Sequence, residues 1–178
     1  MTPDQAKLML GFFVSVLEQE TPTTIRVLQA IPEDKSDYRP SKTSRSAMEL
    51  ARHLPVVELW FYEGVLQGEL PAPDPSAESS IKTIAHAISI YENQIKAARE
   101  RVQQLSGEQL VRPMSMLGIY TKPAVWFLSL LIRHTVHHRG QLSAYLRPMG
   151  AQVPAIYVDS ADEPFHPENA RPATTAGA

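Results

Sequence analysis

Apolar side chains recur along this chain at spacings of three and four residues in four long segments, the period of helices that bury one face. The first runs from about Pro3 to Ala30, with Leu10, Phe13, Leu17 and Leu28 turned inward. Pro22 removes a backbone donor in mid-run and predicts a kink or a restart, and Ile31 and Pro32 close the segment. The polar stretch at 33–43 contains Tyr38-Arg39-Pro40, in which Pro40 disfavours helix at Arg39. The second helix starts near Ser46, which with Glu49 has capping-box spacing. Its inward stripe reads Leu50, His53, Leu54, Val57 and Phe61. Pro55 predicts a bend in it, and Gly68 fits a C-terminal cap.

Residues 70–76 hold three prolines and predict a stiff, non-helical connection. The third helix has the cleanest seam, with Ile84, Ile88, Tyr91, Ile95, Ala98, Val102 and Leu105 alternating by four and three up to Ser106-Gly107. The stretch from there to Thr121 has no clear period and reads as a long crossover loop, with no strand pattern in competition. The fourth helix is expected from Pro123, whose fixed φ suits a first turn, to Met149, with Gly150 as its cap. Phe127, Leu131, His134, His138, Leu142 and Tyr145 form its inward stripe. The pattern predicts one helical domain over 1–158. The tail at 159–178, rich in Pro, Ala, Thr and charge, is expected to be disordered over its last ten or so residues.

Composition narrows the chemistry. The 178 residues suffice for one core, and 43% hydrophobic with 20% charged residues is ordinary for a globular protein. A net charge of −2 offers no basic field for a phosphate backbone, so nucleic acid is not an expected partner. The absence of cysteine removes disulfides, thiolate ligands and a cysteine nucleophile together. The apolar run Leu8 to Leu17 resembles a signal segment, but Asp4 precedes it, Glu18 and Glu20 follow, and no small-x-small cleavage site is present. It is also too short to span a bilayer, so the expectation is a buried helix in a cytoplasmic protein without a membrane partner.

The histidines carry the remaining signal. His134 and His138 stand four apart and share one helical face that is otherwise apolar, and imidazole is a common ligand for zinc, nickel and copper. His53 lies on the apolar stripe of another helix. Three separately buried imidazoles would each need a partner, whereas one metal ion satisfies all three. His137 is a rival, since His134 and His137 are also a possible pair. It is offset by about one hundred degrees from His138 and reads better as a rim residue. Arg139 and Gln141 are candidates for contacts to a ligand histidine or to a substrate anion, with a salt-bridged surface position the simpler reading of Arg139. His86 falls off the third seam and His166 lies in the tail. Arg26, Arg99 and Arg101 read as solvated helix faces. Thr135, Val136 and His137 fill the pair's interior, so this is not the zinc-protease HExxH motif, and no serine-hydrolase, Walker or dinucleotide motif is present.

With these residues the chain resembles the DinB-like family of metal-binding bundles related to the YfiT-type metal-dependent hydrolases. The matching pieces are Tyr38-Arg39-Pro40, the run from Glu49 to Leu54 with Trp60-Phe61 beyond it, and His134-Thr135-Val136-His137-His138-Arg139-Gly140-Gln141-Leu142. Leu146 to Gly150, Val153 to Tyr157 and Ser160 to Glu163 also match, so the resemblance covers about residues 30–164. It implies an all-α, up-down-down-up four-helix bundle, a homodimer, and one divalent ion, zinc or nickel, on His53, His134 and His138. Related proteins include thiol S-transferases and a glutathione- or mycothiol-dependent isomerase. The resemblance therefore implies either hydrolysis or transfer of a low-molecular-weight thiol cosubstrate. Pro55, two residues after the first ligand, departs from the pattern and predicts a shifted His53. The competing reading is a non-catalytic dimerisation or ligand-sensing module, with the metal structural or absent.

Overall fold

The computed structural model describes residues 1–165, and the expectations for His166 and the end of the tail lie outside them. All four periodic segments are helical. They are α1 (Pro3–Gln29), α2 (Ala47–Gln67), α3 and α4 (Trp126–Leu146). Helix α3 joins α-helical Ile84–Ile90, a π-helical turn Tyr91–Ile95 and α-helical Lys96–Gln103. Reciprocal capping boxes start α1 at Thr2/Gln5 and α2 at Ser46/Glu49, satisfying backbone donors that a helix start leaves free. Neither Pro22 nor Pro55 interrupts its helix. Each removes one backbone bond, but buried residues on both sides, such as Leu17 and Val27 or Leu50 and Phe61, keep the helix continuous across the gap.

The helices make a four-helix bundle in which α1 and α2 each pack on α3 and α4. Arg99 reaches Thr21 and Lys7 reaches the Leu105 carbonyl, so α3 runs antiparallel to α1. Arg52 meets Ile81 and Arg101 meets Glu63, so α2 and α3 run parallel. Helix α4 is antiparallel to α2, with His53 beside His138 and Phe61 beside His134. The order is up-down-down-up. The core is continuous, from Leu10, Leu17 and Leu28 through Leu54, Phe61 and Ile95 to Phe127 and Leu142. No helix of the described residues is long and apolar enough to cross a membrane.

The crossover differs from the expected loop. A short helix, Gly107–Val111, is followed by an antiparallel hairpin of β1 (Pro113–Met116) and β2 (Tyr120–Pro123). Pro113 pairs with Pro123 and Met116 with Tyr120, and Leu117 and Gly118 turn the chain at φ 55° and 69°. Leu70 bonds to this hairpin through Ser115 and Leu117, which anchors the proline-rich connection. Strands of four residues with proline at one end are too short for alternation to stand out, and this hid them. Pro123 therefore closes β2, and α4 starts later, at Trp126.

Phe127, Leu131 and Leu142 of the expected α4 stripe are buried, but Leu128, Thr135, Arg139 and Leu146 are buried with them, while His134, His138 and Tyr145 are only half-buried. Arg139 is 1% exposed rather than on the surface. It is ion-paired to Glu20, donates to Thr24 Oγ1 at 3.4 Å, and donates to the Tyr157 hydroxyl at 2.7 Å. Arg99 is likewise enclosed rather than solvated, donating to Thr21 Oγ1 at 2.9 Å. Arg26 and Arg101 are exposed, paired with Glu163 and Glu63. Beyond residue 158, Ser160 donates to the Val153 carbonyl and Asp162 accepts from Arg147 and the Val153 N–H.

Gly68 ends α2 at φ 90°, and a Cβ there would meet the Arg112 guanidinium. Gly68→Ala should cost about 1 kcal/mol from the left-handed backbone. That is a fall of roughly 2–4 °C in Tm for a domain of this size. Calorimetry checks it, and an unchanged Tm would contradict the cap's role.

Candidate metal centre

Helices α2 and α4 cross where their half-buried faces meet, and this crossing brings three imidazoles together. One ring nitrogen each of His53, His134 and His138 lies within 4.8 Å of the other two. His53 and His134 approach most closely, Nε2 to Nε2 at 3.0 Å. The His138 ring centroid is 4.7 Å from that of His53 and 4.4 Å from that of His134. Pro55 lies inside the continuous α2, and His53 joins the other two histidines. All three rings sit beside the fully buried stripe rather than on it, which leaves them half-buried and reachable.

Hydrogen bonds fix the outer nitrogens. His53 Nδ1 donates to Glu78 Oε1 at 2.7 Å, which leaves Nε2 as a lone pair facing the cluster. His138 Nδ1 donates to Gln141 Oε1 at 2.8 Å and likewise turns Nε2 inward. The short contact between His53 and His134 then requires the proton to sit on His134 Nε2. His134 Nδ1 is buried without a partner. Carboxylate or amide partners behind metal-binding imidazoles are the usual way of fixing tautomer and ring orientation.

The electrostatics disfavour protonation of His134 and His138. Burial pulls His134 down to about 3, and the neighbouring His138, His53 and His137 and the Arg45 charge add to it. Burial also lowers His138, against the Gln141 bond that favours its protonation; His53, His137 and Arg45 lower it further. Burial alone would raise Glu78, but hydrogen bonds from His53 and Arg45 prevail and hold it below the ordinary carboxylate value. His53 and His138 turn lone pairs toward the cluster, and His134 would offer a third once its proton moved from Nε2 to the partnerless Nδ1, which is the donor set a divalent cation requires. Tetrahedral zinc with bonds near 2.0–2.1 Å sets its nitrogens about 3.3 Å apart, so the 3.0 Å pair would open by only about 0.3 Å. The residues fit the ion.

The other expected residues divide. Gln141 touches the cluster through His138. His137 is exposed and packs edge-on against His138 at 4.9 Å without joining the group. Arg139 faces α1 and the C-terminal segment instead, and bonds to none of the three histidines. His86 is exposed on α3. Glu78 and Arg45, which interact with the cluster, were not singled out from the sequence. Glu78 sits on a four-residue helical turn, Ala77–Ser80, that has no period of its own.

The sequence pattern of the DinB family matches residues 5–169. The chain belongs to the DinB family. The uncharacterized protein YjoA of Bacillus subtilis is 27% identical over 130 residues, 71% of this chain and 82% of that protein. The crystal structure of YjoA, a DinB-like protein, superposes with a TM-score of 0.66 at 25% identity, covering 81% of this chain and 96% of YjoA. YfiT from Bacillus subtilis, described as a probable metal-dependent hydrolase with an unusual four-helix bundle topology, gives 0.67 at 15% identity over 80% of this chain and 89% of YfiT. The mycothiol-dependent maleylpyruvate isomerase gives 0.56 at 14% identity over 82% of this chain and 64% of the isomerase. At these last two identities the likeness speaks for the fold.

Proposed function

We propose that this DinB-family chain is a metal-dependent enzyme in which His53, His134 and His138 hold one divalent ion, zinc or nickel. The observation that carries the reading is the convergence of three imidazole nitrogens, with two of the rings backed by Glu78 and Gln141. An ion on three neutral ligands keeps its charge and an open position, and there lowers the pKa of a bound water or thiol. Glu78 and Gln141 hold the His53 and His138 rings in one tautomer and one orientation. The half-buried crossing of α2 and α4 limits the water around them. The chain has no cysteine, so a reacting thiol belongs to a low-molecular-weight cosubstrate. The description of YfiT as a probable metal-dependent hydrolase and the mycothiol dependence of the isomerase support hydrolysis and thiol transfer, respectively. The reading extends to a homodimer in the cytoplasm.

Elemental analysis of the purified protein tests the site. Wild type and His137→Ala should carry about one ion per chain, and His53→Ala and His138→Ala should retain less than about a tenth of it. Equal metal content in all four proteins would sink the assignment. The loaded protein should then hydrolyse ester or amide substrates, or join electrophiles to small thiols. Inactivity across all of these would favour the non-catalytic module.

A further inference from the structure

Helix α2 carries apolar side chains on its outer side as well as its inner one. Val56 and Leu59 lie away from the Leu54 and Phe61 stripe, and Trp60 flanks it, at positions where a helix packed on one side ordinarily shows polar residues. All three are half-buried, because the connection at 70–81 packs over this side of α2. The connection is tied down at both ends. Trp60 Nε1 donates to the Pro71 carbonyl at 2.9 Å, and Arg52 Nε donates to the Ile81 carbonyl at 2.7 Å. Between these ties it does not close on the helix. A cavity of about 320 Å³ remains, bounded by Val56, Leu59 and Trp60 of α2, Pro73 and Ile81 of the connection, and Ile90 of α3. Its size and apolar lining are those of a small-molecule site. None of the three clustered histidines lines it.

The charged groups around this cavity are acidic. Asp74 and Glu63 line it, and among the described lining residues there is no lysine or arginine. Glu63 is paired with Arg101, so Asp74 supplies the uncompensated charge. Asp74 Oδ1 accepts from the Ser76 N–H and from its hydroxyl, both at 2.8 Å, which fixes the carboxylate and lowers its pKa. Asp74 Oδ2 has no partner among the described residues. Trp60 spends its one donor on Pro71, so its indole offers an apolar body and a ring face. We propose that this cavity binds small organic cations, with an aromatic or branched apolar body against Val56, Leu59 and Trp60 and an ammonium group at Asp74. The site needs no metal ion, although it shares a wall with the histidine cluster: Ala77 and Ser80 line it, and Glu78 on the same turn bonds His53.

Protein-observed NMR on the full chain tests the site, with chelator present so that an amine finds no ion to ligate. The chain has two tryptophans, and their indole N–H signals, told apart with Trp126→Phe, report Trp60 in the cavity and Trp126 at the start of α4. The probes are phenethylamine, its neutral counterpart 2-phenylethanol, its anionic counterpart 3-phenylpropionate, and ethylamine, which has the charge without the ring. Phenethylamine should move the Trp60 signal with a Kd on the order of 1 mM, the range for a ligand of about nine non-hydrogen atoms. It should bind roughly fivefold more tightly than 2-phenylethanol, the upper end for an exposed charge pair, and the other two probes should bind more weakly than phenethylamine. Asp74→Asn should bring phenethylamine within about twofold of the alcohol and leave the affinity for the alcohol unchanged. Gln94 is exposed and lines the cavity, so Gln94→Trp should fill it and abolish the Trp60 shift while the circular dichroism stays native. A Trp60 signal that no probe moves, equal affinities for cation, alcohol and acid, a preference for the cation that survives Asp74→Asn, or shifts that persist in Gln94→Trp would each overturn the proposal.

Discussion

Saturating the metal-free protein with zinc or nickel is expected to raise its unfolding midpoint by about 8–16 °C. The size follows from mass action. An ion that binds only the folded chain stabilises it by about 4 kcal/mol at a free concentration one thousand times its Kd. A degree count of roughly 2–4 °C per kcal/mol applies to a domain of 178 residues. Only folding brings the three nitrogens together, since His53 and His134 are 81 residues apart in sequence. In His134→Ala the shift should disappear, because a two-histidine remnant lacks a ligand from the buried side of the site. In Glu78→Gln it should shrink, as partners behind a ligand imidazole typically contribute tenfold to a hundredfold in metal affinity. Scanning calorimetry in zinc and in chelator reads all three proteins. A midpoint indifferent to zinc, or an equal rise in His134→Ala, would show that the cluster is not the binding site.

What could be read from the chain alone, and what could not, separates along one physical line. Periodicity locates the helices because each buries a stripe long enough to repeat, as Ile84 to Leu105 does on α3. Histidine spacing locates two members of the cluster because i and i+4 share a helical face. Polar residues inside the stripes are what periodicity conceals. Glu58 stands four residues after Leu54 and three before Phe61, squarely on the buried side of α2, yet a glutamate reads as solvated. Thr135 and Arg139 fill the same kind of position on α4, where periodicity favours the neighbouring His134 and His138 instead. Their partners explain the burial, and those lie far away in sequence: Glu20 and Thr24 are more than 100 residues from Arg139. Glu78 is hidden for the opposite reason. It belongs to a connection with no repeat, and only the packing of that turn against α2 brings it to His53.

Glu58→Gln should abolish a loss of stability that wild type suffers between about pH 4.5 and 7. Glu58 is 2% exposed, and burial raises its carboxyl to about 7, against partial relief from Arg99, Tyr91, Thr135 and Tyr62. The groups facing it come from three helices: Tyr62 from its own α2, Tyr91 and Arg99 from α3, and Thr135 from α4, whose hydroxyl lies 3.5 Å from Oε2. The acidic residues of α1 nearest this band are engaged elsewhere, Glu18 with Arg99 and Glu20 with Arg139. In the unfolded chain the same carboxyl titrates near its ordinary value of 4.5. Between these two values the folded state therefore holds a proton that the unfolded state has released. Raising the pH favours unfolding across that window, by about 3 kcal/mol in all. Glutamine has the same shape as the protonated acid and cannot ionise. The variant should match wild type near pH 4.5 and exceed its stability by up to about 3 kcal/mol at pH 8. The difference between the two proteins' denaturation curves, taken from pH 4.5 to 8, isolates this one group from every other titration in the chain. Parallel stability profiles would mean that Glu58 ionises normally in the folded protein, and that Arg99 and the two tyrosines stabilise its charge far better than their geometry suggests.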